Sequence, residues 1–587
     1  MLAGVQIGLG MRNVYLVQVN ERYGDNVFLP FSVGLIQAYC QSLDWVNKHY
    51  KFKELIYLRE RLEQIVERME TPDVVGFSCY IWNWEFNKAL AKKVHEFYPE
   101  CLIVFGGPHV PIKGEIPNYV DVVTHHEGEV AFSETLRHRC GIGDGFNLIP
   151  RMSSRVTDLG ILPSPYLSGV FDSLLDAPYR FHASQETHRG CPYSCSFCDW
   201  GSAVMTKVRA FDTDRLVQEF EWMGQHRIEL LYNCDANYGL LPRDLELTKS
   251  MVSVKERYGY PQTFRAAYAK NSNQKVLDIS RVVHGAGMSK GTTLSFQSLD
   301  ASALREIRRS NIKIDDFKSL LSIYRQEGIP TYTELILGLP GETYDSFARG
   351  IEQLLEAGQH EGLNVYLLAI LPNAEMSDPV YQKKYGMRLV RSPLLQQHVT
   401  PSLDGVQEYC EICIETEKMP LTDWVHAYMF AWAVQTFHGF GLLREVAMYL
   451  REFHRVMYRE FYEWLLQTAR QRPRSLLGEE YTRTLVHAYH GLEGEQWGAV
   501  DVRYGNVVWP MEEFTYLNIA AQQSERFYQE MALLLRLQWD DVDVSMRLGW
   551  DRVQVRTAAS FGGDLEEFAK QAVWYARKRL LKEPVEV

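Results

Sequence analysis

Three cysteines stand close together in the segment THRGCPYSCSFCDWGS (187–202). Cys191, Cys195 and Cys198 have the spacing C-x3-C-x2-C. Cysteine thiolates hold iron–sulfur clusters, and a four-iron cluster needs one ligand for each iron. Three thiolates therefore predict a cluster in which one iron is open to another ligand.

These cysteines allow two other interpretations. His188 or a distant residue could complete a closed zinc site, but structural zinc usually takes two cysteine pairs about a dozen or more residues apart, and this triplet is compact. Ordinary core cysteines are disfavoured because Gly190, Pro192 and Ser194 are typical of a turn. The pattern favours an iron–sulfur cluster.

Composition narrows the class of protein. The 587 residues are 46% hydrophobic, enough for about three or four domains. A net charge of −12 provides no general surface for nucleic acid or an anionic membrane. No stretch approaches the roughly 20 apolar residues of a membrane span. The N-terminus has no basic region before an apolar run. Most of the 10 cysteines are scattered, unlike a disulfide framework, so we expect a cytoplasmic protein.

The first 150 or so residues alternate between short apolar strands and helices. NVYLVQVN (13–20), DVVGFSCY (73–80) and CLIVFGG (101–107) are strand candidates. Near-continuous apolar strands predict a parallel sheet covered on both faces, which binds ligands at the carboxyl ends of its strands. We predict a doubly wound, Rossmann-like α/β domain over 1–145. A linker rich in Gly, Pro and Ser follows over 146–180.

The rest of the chain divides into two further regions. Over 181–394, six strand candidates recur at intervals of roughly 30 residues with helices between them, which predicts a (β/α)6 partial barrel. Its first strand leads into the cysteine loop. From 395 to 587, apolar residues at helical spacing predict a mainly helical domain with a short β insert near AVDVRYGNVVWP (499–510).

The cysteine loop resembles the signature of the radical S-adenosylmethionine (SAM) superfamily, C-x3-C-x-aromatic-C. Cys191, Cys195, Phe197 and Cys198 match it. In that superfamily the loop follows the first strand of a six-unit partial barrel, as predicted here independently. The resemblance implies a [4Fe-4S] cluster held by the three cysteines, with SAM chelating the open iron.

Further segments resemble the SAM-contacting strand ends of that superfamily. They are LYNCDANYG (231–239), SFQSLDASALREIRRSNI (295–312) and the turn ELILGLPGET (334–343), which also contains Gly341 and Glu342. Each residue has an alternative role in a strand end or helix cap without ligand contact. The resemblance assigns SAM binding to Phe197, Asp235, Asn237, Gln297, Ser298, Arg309 and Gly338.

A doubly wound domain before the cysteine loop, joined by LPSPY (162–166), resembles the cobalamin-dependent (class B) radical SAM enzymes over roughly residues 10–375. The D-x-H-x-x-G motif of other cobalamin proteins does not occur in the first domain, which suits this class. The segments GFSCYIWNW (76–84), FGGPHVP (105–111) and HHEGE (125–129) carry the likeness. It assigns cobalamin binding to Ser78, Tyr80, Trp82, Trp84, Gly106, Gly107, His109, Glu127 and Gly128.

Three details of that assignment stay open. Trp82, or failing that Trp84, could cover the lower face of cobalt, or either could be a core aromatic. His109 is expected to hydrogen-bond at the corrin edge. The domain could instead hold a nucleotide or flavin, or no ligand, although a dinucleotide is disfavoured because the first strand lacks G-x-G-x-x-G.

The leading functional hypothesis is a methyltransferase that acts on an unactivated carbon of a natural-product or peptide intermediate. The resemblance implies that one SAM generates a radical and that a second SAM supplies methyl through methylcobalamin. An external electron donor such as flavodoxin or ferredoxin is implied, with no nucleic-acid or membrane partner. No catalytic side chain is assigned.

Alternatives remain within and outside enzymes. A cobalamin-dependent rearrangement or cyclisation, or a polar methylation without radical cleavage of SAM, would use the same cofactors. A structural or sensing iron–sulfur or zinc protein is the alternative outside catalysis. Cys410 and Cys413 form a C-x2-C pair that could serve an auxiliary cluster, but two ligands are too few and the expected helical context favours a structural role.

Overall fold

The computed structural model describes residues 11–142, 151–200, 204–270, 274–400 and 404–559, with Ala569 and Val573. Residues 146–150 of the predicted linker and most of 560–587 lie outside the described residues. Within the described ranges, no helix is both long and apolar enough to cross a membrane.

The first region is a six-stranded, wholly parallel sheet with helices on both faces, in the strand order β4-β1-β5-β6-β7-β8. Helices α1 and α5 cover one face, and α3 and α4 cover the other. The predicted doubly wound fold is confirmed. The elements are β1 (Arg12–Val17), β2 (Arg22–Tyr23), β3 (Asn26–Phe28), α1 (Phe31–Gln41), α2 (Asp44–His49), β4 (Tyr50–Phe52), α3 (Leu62–Glu67), β5 (Pro72–Ser78), α4 (Trp84–Phe97), β6 (Leu102–Gly106), β7 (Val122–His126), α5 (Gly128–Arg139) and β8 (Arg151–Ser154).

The second region is the predicted partial barrel, with parallel strands β9, β12, β13, β14, β15 and β16. The hairpin β2–β3 extends its sheet, because β3 pairs in parallel with β9. No sequence pattern predicts that this hairpin joins the barrel's sheet. The elements are β9 (Arg180–Gln185), β10 (His188–Arg189), β11 (Arg209–Ala210), α6 (Thr213–Gln225), β12 (Leu230–Tyr238), α7 (Asp244–Tyr258), β13 (Thr263–Tyr268), α8 (Gln274–Gly285), β14 (Thr292–Thr293), α9 (Ala301–Glu306), α10 (Ile314–Gln326), β15 (Thr331–Leu337), α11 (Tyr344–Glu356), β16 (Leu363–Leu367), β17 (Ala369–Ile370), α12 (Pro379–Lys384) and β18 (Arg388–Pro393).

The third region is mainly helical and packs on the second half of the barrel in one apolar core. Its first strand pairs with β17 and β18, and a small hairpin forms at the predicted β insert. The elements are β19 (Tyr409–Glu415), α13 (Leu421–Ala433), α14 (Arg444–Phe453), α15 (Tyr458–Gln471), α16 (Leu476–Leu492), β20 (Ala499–Val500), β21 (Val508–Trp509), α17 (Met511–Asn518), α18 (Ser524–Gln538) and α19 (Val542–Ala559).

The expectation of a helix around Cys410 and Cys413 is wrong, since both lie on strand β19. Residues three apart on a strand point to opposite faces. Cys410 accordingly packs in the large C-terminal core and Cys413 in a separate cluster near the cysteine loop. The pair cannot ligate one metal centre from this strand.

The segment after the first sheet anchors the two α/β regions to each other through Tyr166. Its ring packs against Phe31 of α1 at 5.9 Å and against Trp222 of α6 at 5.0 Å between centroids. Its hydroxyl donates to the Ser184 carbonyl oxygen in β9. Tyr166 is 1% exposed, so burial of a large aromatic ring holds the regions together here.

The third region also touches the first through Glu408. Its carboxylate accepts the backbone N–H groups of Glu85 at 2.7 Å and Phe86 at 3.0 Å, at the start of α4. The same carboxylate lies 3.3 Å from Arg59. An anion at a helix N-terminus is favourable because the first N–H groups have no partner within the helix.

Replacing Glu408 by Gln should destabilise the protein by about 1–3 kcal/mol, because the charge-assisted cap is lost and Arg59 loses a buried partner. Denaturant unfolding of the purified chain measures the change. Glu411→Gln, a half-buried position on β19, is the control and should change stability by less than about 0.5 kcal/mol. Equal stability of the two variants would contradict the assigned cap.

Candidate functional site

A cavity of about 550 Å³ lies where the carboxyl ends of β5, β6 and β7 face the cysteine loop and β12. Its far wall contains Gly190, Trp200 and Cys234. Parallel sheets bind ligands at this end, so the cavity lies where the sequence placed the cobalamin site. The residues predicted for cobalamin that line it are Ser78, Tyr80, Trp82, Gly106, Gly107, His109, Glu127 and Gly128.

Two glycines bring backbone close together beneath the cavity. A Cβ atom on Gly106 would lie 2.5 Å from the Thr124 hydroxyl oxygen, and one on Gly107 would lie 2.6 Å from the Cys79 carbonyl oxygen. Gly107 also has φ of +103°, which favours glycine. A larger side chain at either position would clash with Thr124 or Cys79.

The loop after β5 places one predicted tryptophan in the cavity and the other outside it. Trp82 stacks on Tyr80, with ring centroids 4.3 Å apart and planes 9° apart. Asn83 anchors the turn, since its Nδ2 donates to the Ser78 carbonyl oxygen and its Oδ1 accepts the Tyr80 N–H. Trp84 begins α4 and packs on the core instead.

His109 lies at the rim of the cavity with its ring 5.6 Å from that of Trp84. Burial lowers the pKa of His109 to about 4, so the ring is neutral near pH 7. A neutral imidazole can accept or donate one hydrogen bond, which suits the predicted contact at a corrin edge.

The three motif cysteines lie in one loop whose sulfurs receive polar contacts from barrel strand ends. Cys191 accepts from Asn237 Nδ2 at 3.2 Å, and Cys195 accepts from Lys270 Nζ at 3.1 Å. Burial raises the pKa of the Cys198 thiol to about 11, opposed by the charge of Lys270. Hydrogen bonds and cations near the sulfurs stabilise thiolates and the clusters they hold.

This arrangement differs from a closed zinc site. Across the described ranges, no three His, Cys, Asp or Glu side chains converge as the ligands of a single ion do. Each thiolate of a four-iron cluster binds a different iron, so its ligands need not meet at one point. Three thiols in one loop, two of whose sulfurs accept from Asn237 and Lys270, fit a cluster with three thiolates.

Asp235 is held within the protein. Its carboxylate accepts the backbone N–H groups of Thr187 at 2.8 Å and His188 at 3.1 Å, and Asn233 Nδ2 at 3.1 Å. The Nδ1 atom of His188 lies 3.1 Å from the same carboxylate. Asp235 thus fixes the strand that enters the cysteine loop, and its contact with SAM stays a prediction.

The other residues predicted for SAM lie at neighbouring strand ends. Gln297 has φ of +66°, a strained conformation for a non-glycine residue, next to buried Ser298. Ser298 donates to Glu342 at 2.5 Å, and burial raises the pKa of Glu342 to about 8. Burial lowers the pKa of Arg309, and the neighbouring Cys195 opposes the shift.

Gly338 and Phe197 lie against the layer between barrel and C-terminal region. A Cβ on Gly338 would lie 2.9 Å from the Cys413 carbonyl oxygen, so glycine permits close packing there. Phe197 packs beside Leu339 and Cys413. The structure gives both residues a packing role, and their SAM contacts stay predictions.

An ion-pair network joins the first sheet to the cysteine loop. Arg189, two residues before Cys191, lies 2.7 Å from Glu129 and 3.5 Å from Glu127. Arg209 lies 2.5 Å from Glu127. Burial acts to raise the pKa of Glu127, but the two arginines outweigh it and lower that pKa. Glu127, predicted for cobalamin, therefore also ties the two regions together.

A second contact joins the loop after β17 to the loop after β6. Asn373, after β17, donates through Nδ2 to the carbonyl oxygens of Pro108 at 2.8 Å and Val110 at 2.9 Å. Its Oδ1 accepts the Ile112 N–H at 2.8 Å. The amide fixes the loop that carries His109.

Sequence reasoning missed several of these residues. Lys270 follows the third barrel strand, where a strand end was a usable signal, but no local pattern pairs it with Cys195. Arg189 stands inside the cysteine segment and pairs with nearby Glu186, but its partners Glu127 and Glu129 are about 60 residues away in sequence. Asn83 and Asn373 act through loop contacts that have no short motif.

Replacing Arg189 by Met should destabilise the protein by roughly 3–5 kcal/mol, since buried carboxylates lose their counter-charge. Arg189→Lys should lose less because the charge remains. Denaturant unfolding provides the measurement. Arg257→Met is the control, since that exposed pair with Glu221 should be worth less than about 1 kcal/mol. Similar losses for Arg189→Met and Arg257→Met would contradict a buried network.

Comparison with known proteins agrees with this geometry. Residues 31–136 match the B12 binding domain family, and residues 186–354 match the radical SAM superfamily. The structure resembles OxsB, a cobalamin-dependent SAM radical enzyme solved with aqua-cobalamin and SAM, with a TM-score of 0.51 and 13% identity over 94% of this chain and 84% of that one. That likeness supports the fold.

Two relatives are much more similar in sequence. The cobalamin-dependent radical SAM methyltransferase TokK of Streptomyces tokunonensis is 42% identical over 81% of this chain and 73% of its own length. The 2-(S-pantetheinyl)-carbapenam-3-carboxylate methyltransferase of Streptantibioticus cattleyicolor is 39% identical over 89% of this chain and 80% of its own length. This chain therefore belongs to the cobalamin-dependent radical SAM methyltransferases.

Proposed function

We propose that this enzyme methylates a carbon of a pantetheinyl carbapenam carboxylate or a close analogue. The shared cavity carries the proposal, because it brings the residues suited to cobalamin against the loop suited to the cluster. The substrate class is supported by the relative that is named for it and aligns with 89% of this chain.

Cys191, Cys195 and Cys198 are proposed as the cluster ligands, with Asn237 and Lys270 donating to two of the sulfurs. When bound, the reduced cluster supplies the electron that cleaves SAM, and cobalamin carries the methyl group. The chain's own contribution is to position these groups and to bury them. Cys191 and Cys195 are 5% and 4% exposed, which keeps water from the loop.

The cobalamin site is proposed to comprise the glycine floor at Gly106 and Gly107, the stacked pair Tyr80 and Trp82, and His109 at the rim. Glycine at these two positions lets the backbone pack closely on Thr124 and Cys79 beneath the cavity. Trp82 stays the candidate for the lower face of the corrin ahead of Trp84, since it alone of the two lines the cavity.

SAM is proposed to bind between the cysteine loop and the strand ends that carry Asn237, Gln297 and Arg309. Asn237 contacts Cys191, and Arg309 donates to the Ser295 carbonyl oxygen at 2.5 Å while its charge faces Cys195. Asp235 holds this site from behind rather than from its surface.

The cell compartment and partner are also proposals. We propose a cytoplasmic enzyme that receives electrons from a flavodoxin or ferredoxin. All 10 cysteines are free, which suits a reducing compartment.

The direct test uses anaerobic protein reconstituted with iron, sulfide and cobalamin. It is incubated with SAM, reductant and a synthetic pantetheinyl carbapenam carboxylate, and products are identified by mass spectrometry. We expect 5′-deoxyadenosine, S-adenosylhomocysteine and a singly methylated substrate. S-adenosylhomocysteine with methylated substrate but no 5′-deoxyadenosine would instead indicate polar methylation, and 5′-deoxyadenosine with an isomerised substrate would indicate rearrangement.

Cys195→Ala should remove a cluster ligand and abolish 5′-deoxyadenosine formation, with a fall of at least about 100-fold in rate. Iron and sulfide content and the cluster absorbance measure the ligand loss directly. Cys140→Ala, at the end of α5, is the matched control and should keep both cluster and SAM cleavage. Retention of cluster and cleavage by Cys195→Ala would disprove the assignment.

Trp82→Ala should weaken cobalamin binding about tenfold, because an aromatic contact worth about 1.4 kcal/mol is lost. It should also change the electron paramagnetic resonance spectrum of bound cob(II)alamin. Trp84→Ala, the neighbouring core tryptophan, should lower stability but leave that spectrum unchanged. A changed cob(II)alamin spectrum in Trp84→Ala, with an unchanged spectrum in Trp82→Ala, would assign the lower face to Trp84.

A further inference from the structure

Arg59 follows strand β4 and is buried among acceptors from distant parts of the chain. Its side chain is 6% exposed. Its Nε donates to the Asp404 carboxylate at 2.9 Å, and its Nη1 lies 3.4 Å from the Glu21 carboxylate. Its Nη2 donates to the Val406 carbonyl oxygen at 3.0 Å and lies 3.3 Å from the Glu408 carboxylate. Every nitrogen of the guanidinium therefore has an acceptor.

One of these nitrogens also reaches the turn that carries the stacked tryptophan. Arg59 Nη1 donates to the Trp82 carbonyl oxygen at 3.2 Å. The guanidinium carbon lies 5.2 Å from the centre of the Phe86 ring, in the first turn of α4, where a cation over an aromatic face is favourable. Arg59 thus contacts the chain both before and after Asn83, the residue that closes this turn.

The orientation of the Trp82 ring depends on its main chain. The residue is half-buried and stacks on Tyr80, whose hydroxyl contacts Ser32. Among the residues that the structure describes, none accepts a hydrogen bond from the indole nitrogen of Trp82. The ring is therefore placed by the stack on Tyr80 and by the Trp82 backbone, which Arg59 holds at its carbonyl oxygen.

The acceptors around Arg59 require a planar group with several donors. Both oxygens of the Asp404 carboxylate accept from it, one from Nε at 2.9 Å and the other from Nη2 at 3.4 Å, while Nη1 is directed at Trp82. A lysine ammonium can neutralise the same carboxylates, but it has no rigid fork of donors. Substitution can therefore separate the balance of buried charge from the placement of the turn.

We propose that Arg59 is a positioning residue that holds the Trp82 ring against the lower face of cobalamin. The inference rests on the proposed function, in which Trp82 covers that face. Arg59 lies behind the turn, outside the residues that line the cavity, and acts through the Trp82 carbonyl oxygen. Its other contacts tie the turn to residues 404–408, at the start of the third region.

The test uses the full chain reconstituted with cobalamin and records the electron paramagnetic resonance spectrum of bound cob(II)alamin. Arg59→Lys and Arg59→Met should both change this spectrum in the same direction as Trp82→Ala, because the turn is no longer held. Their affinity for cobalamin should fall about two- to tenfold, the usual effect of losing one hydrogen bond. The denaturation midpoint should fall less in Arg59→Lys than in Arg59→Met, since lysine keeps the buried charge.

Arg444→Met is the matched control. Arg444 is a buried arginine of the third region, with a side chain 2% exposed, and its Nε donates to the His438 carbonyl oxygen at 2.9 Å. This variant should lower the denaturation midpoint about as much as Arg59→Met but leave the cob(II)alamin spectrum and the cobalamin affinity unchanged. If Arg59→Met does not fold, Arg59→Lys decides the outcome.

The outcomes separate this inference from the proposed function. A wild-type spectrum in Arg59→Lys beside a changed spectrum in Trp82→Ala would overturn the role of Arg59 alone. An equal spectral change in Arg444→Met would also overturn it, since any loss of stability would then have the same effect. Failure of the wild-type chain to bind cobalamin would overturn the proposed function and this inference with it.

Discussion

The buried charge of Arg189 is the constraint on which the arrangement of both cofactor sites depends. Glu127 and Glu129, at the start of α5 after strand β7, and Glu186, before the cysteine loop, surround the guanidinium. Taking such charges out of water costs several kcal/mol for each ion unless their geometry is good. The network therefore permits little sliding of the cysteine loop over the sheet, and the cavity between them keeps a defined shape.

Much of the fold could be predicted because local patterns and required topology agree. The strand β5 reads as a buried apolar run, and six strand–helix units around a cysteine loop allow few arrangements. What could not be predicted depends on distant pairing. Strand β8 has the polar sequence RMSS, which is typical of a loop. It forms a strand by pairing in parallel with β7. β14 is two residues long and depends on its neighbour β15.

The residues of the candidate site likewise differ in how far the sequence predicts them. The cysteines and the glycines Gly106 and Gly107 could be proposed from the sequence because the chemistry favours their residue types, and their roles toward the cofactors stay predictions. Trp82 is preferred to Trp84 from the sequence, but which ring lines the cavity depends on where α4 starts, and no local pattern fixes that residue. Asp235 is predicted to contact SAM because it lies at a strand end. Its carboxylate accepts backbone N–H groups that no sequence pattern identifies, and its contact with SAM stays a prediction.

The hairpin β2–β3 has a consequence for how the molecule is assembled. Residues 26–28 pair with 180–182, so an N-terminal segment completes the sheet of a region translated much later. Loop closure over such a distance is slow and costly in chain entropy. The six strands of the first sheet all lie between residues 12 and 154, whereas the hairpin β2–β3 belongs to the barrel's sheet. The hairpin therefore finds its partner only after β9 has been made, which couples the folding of the two regions.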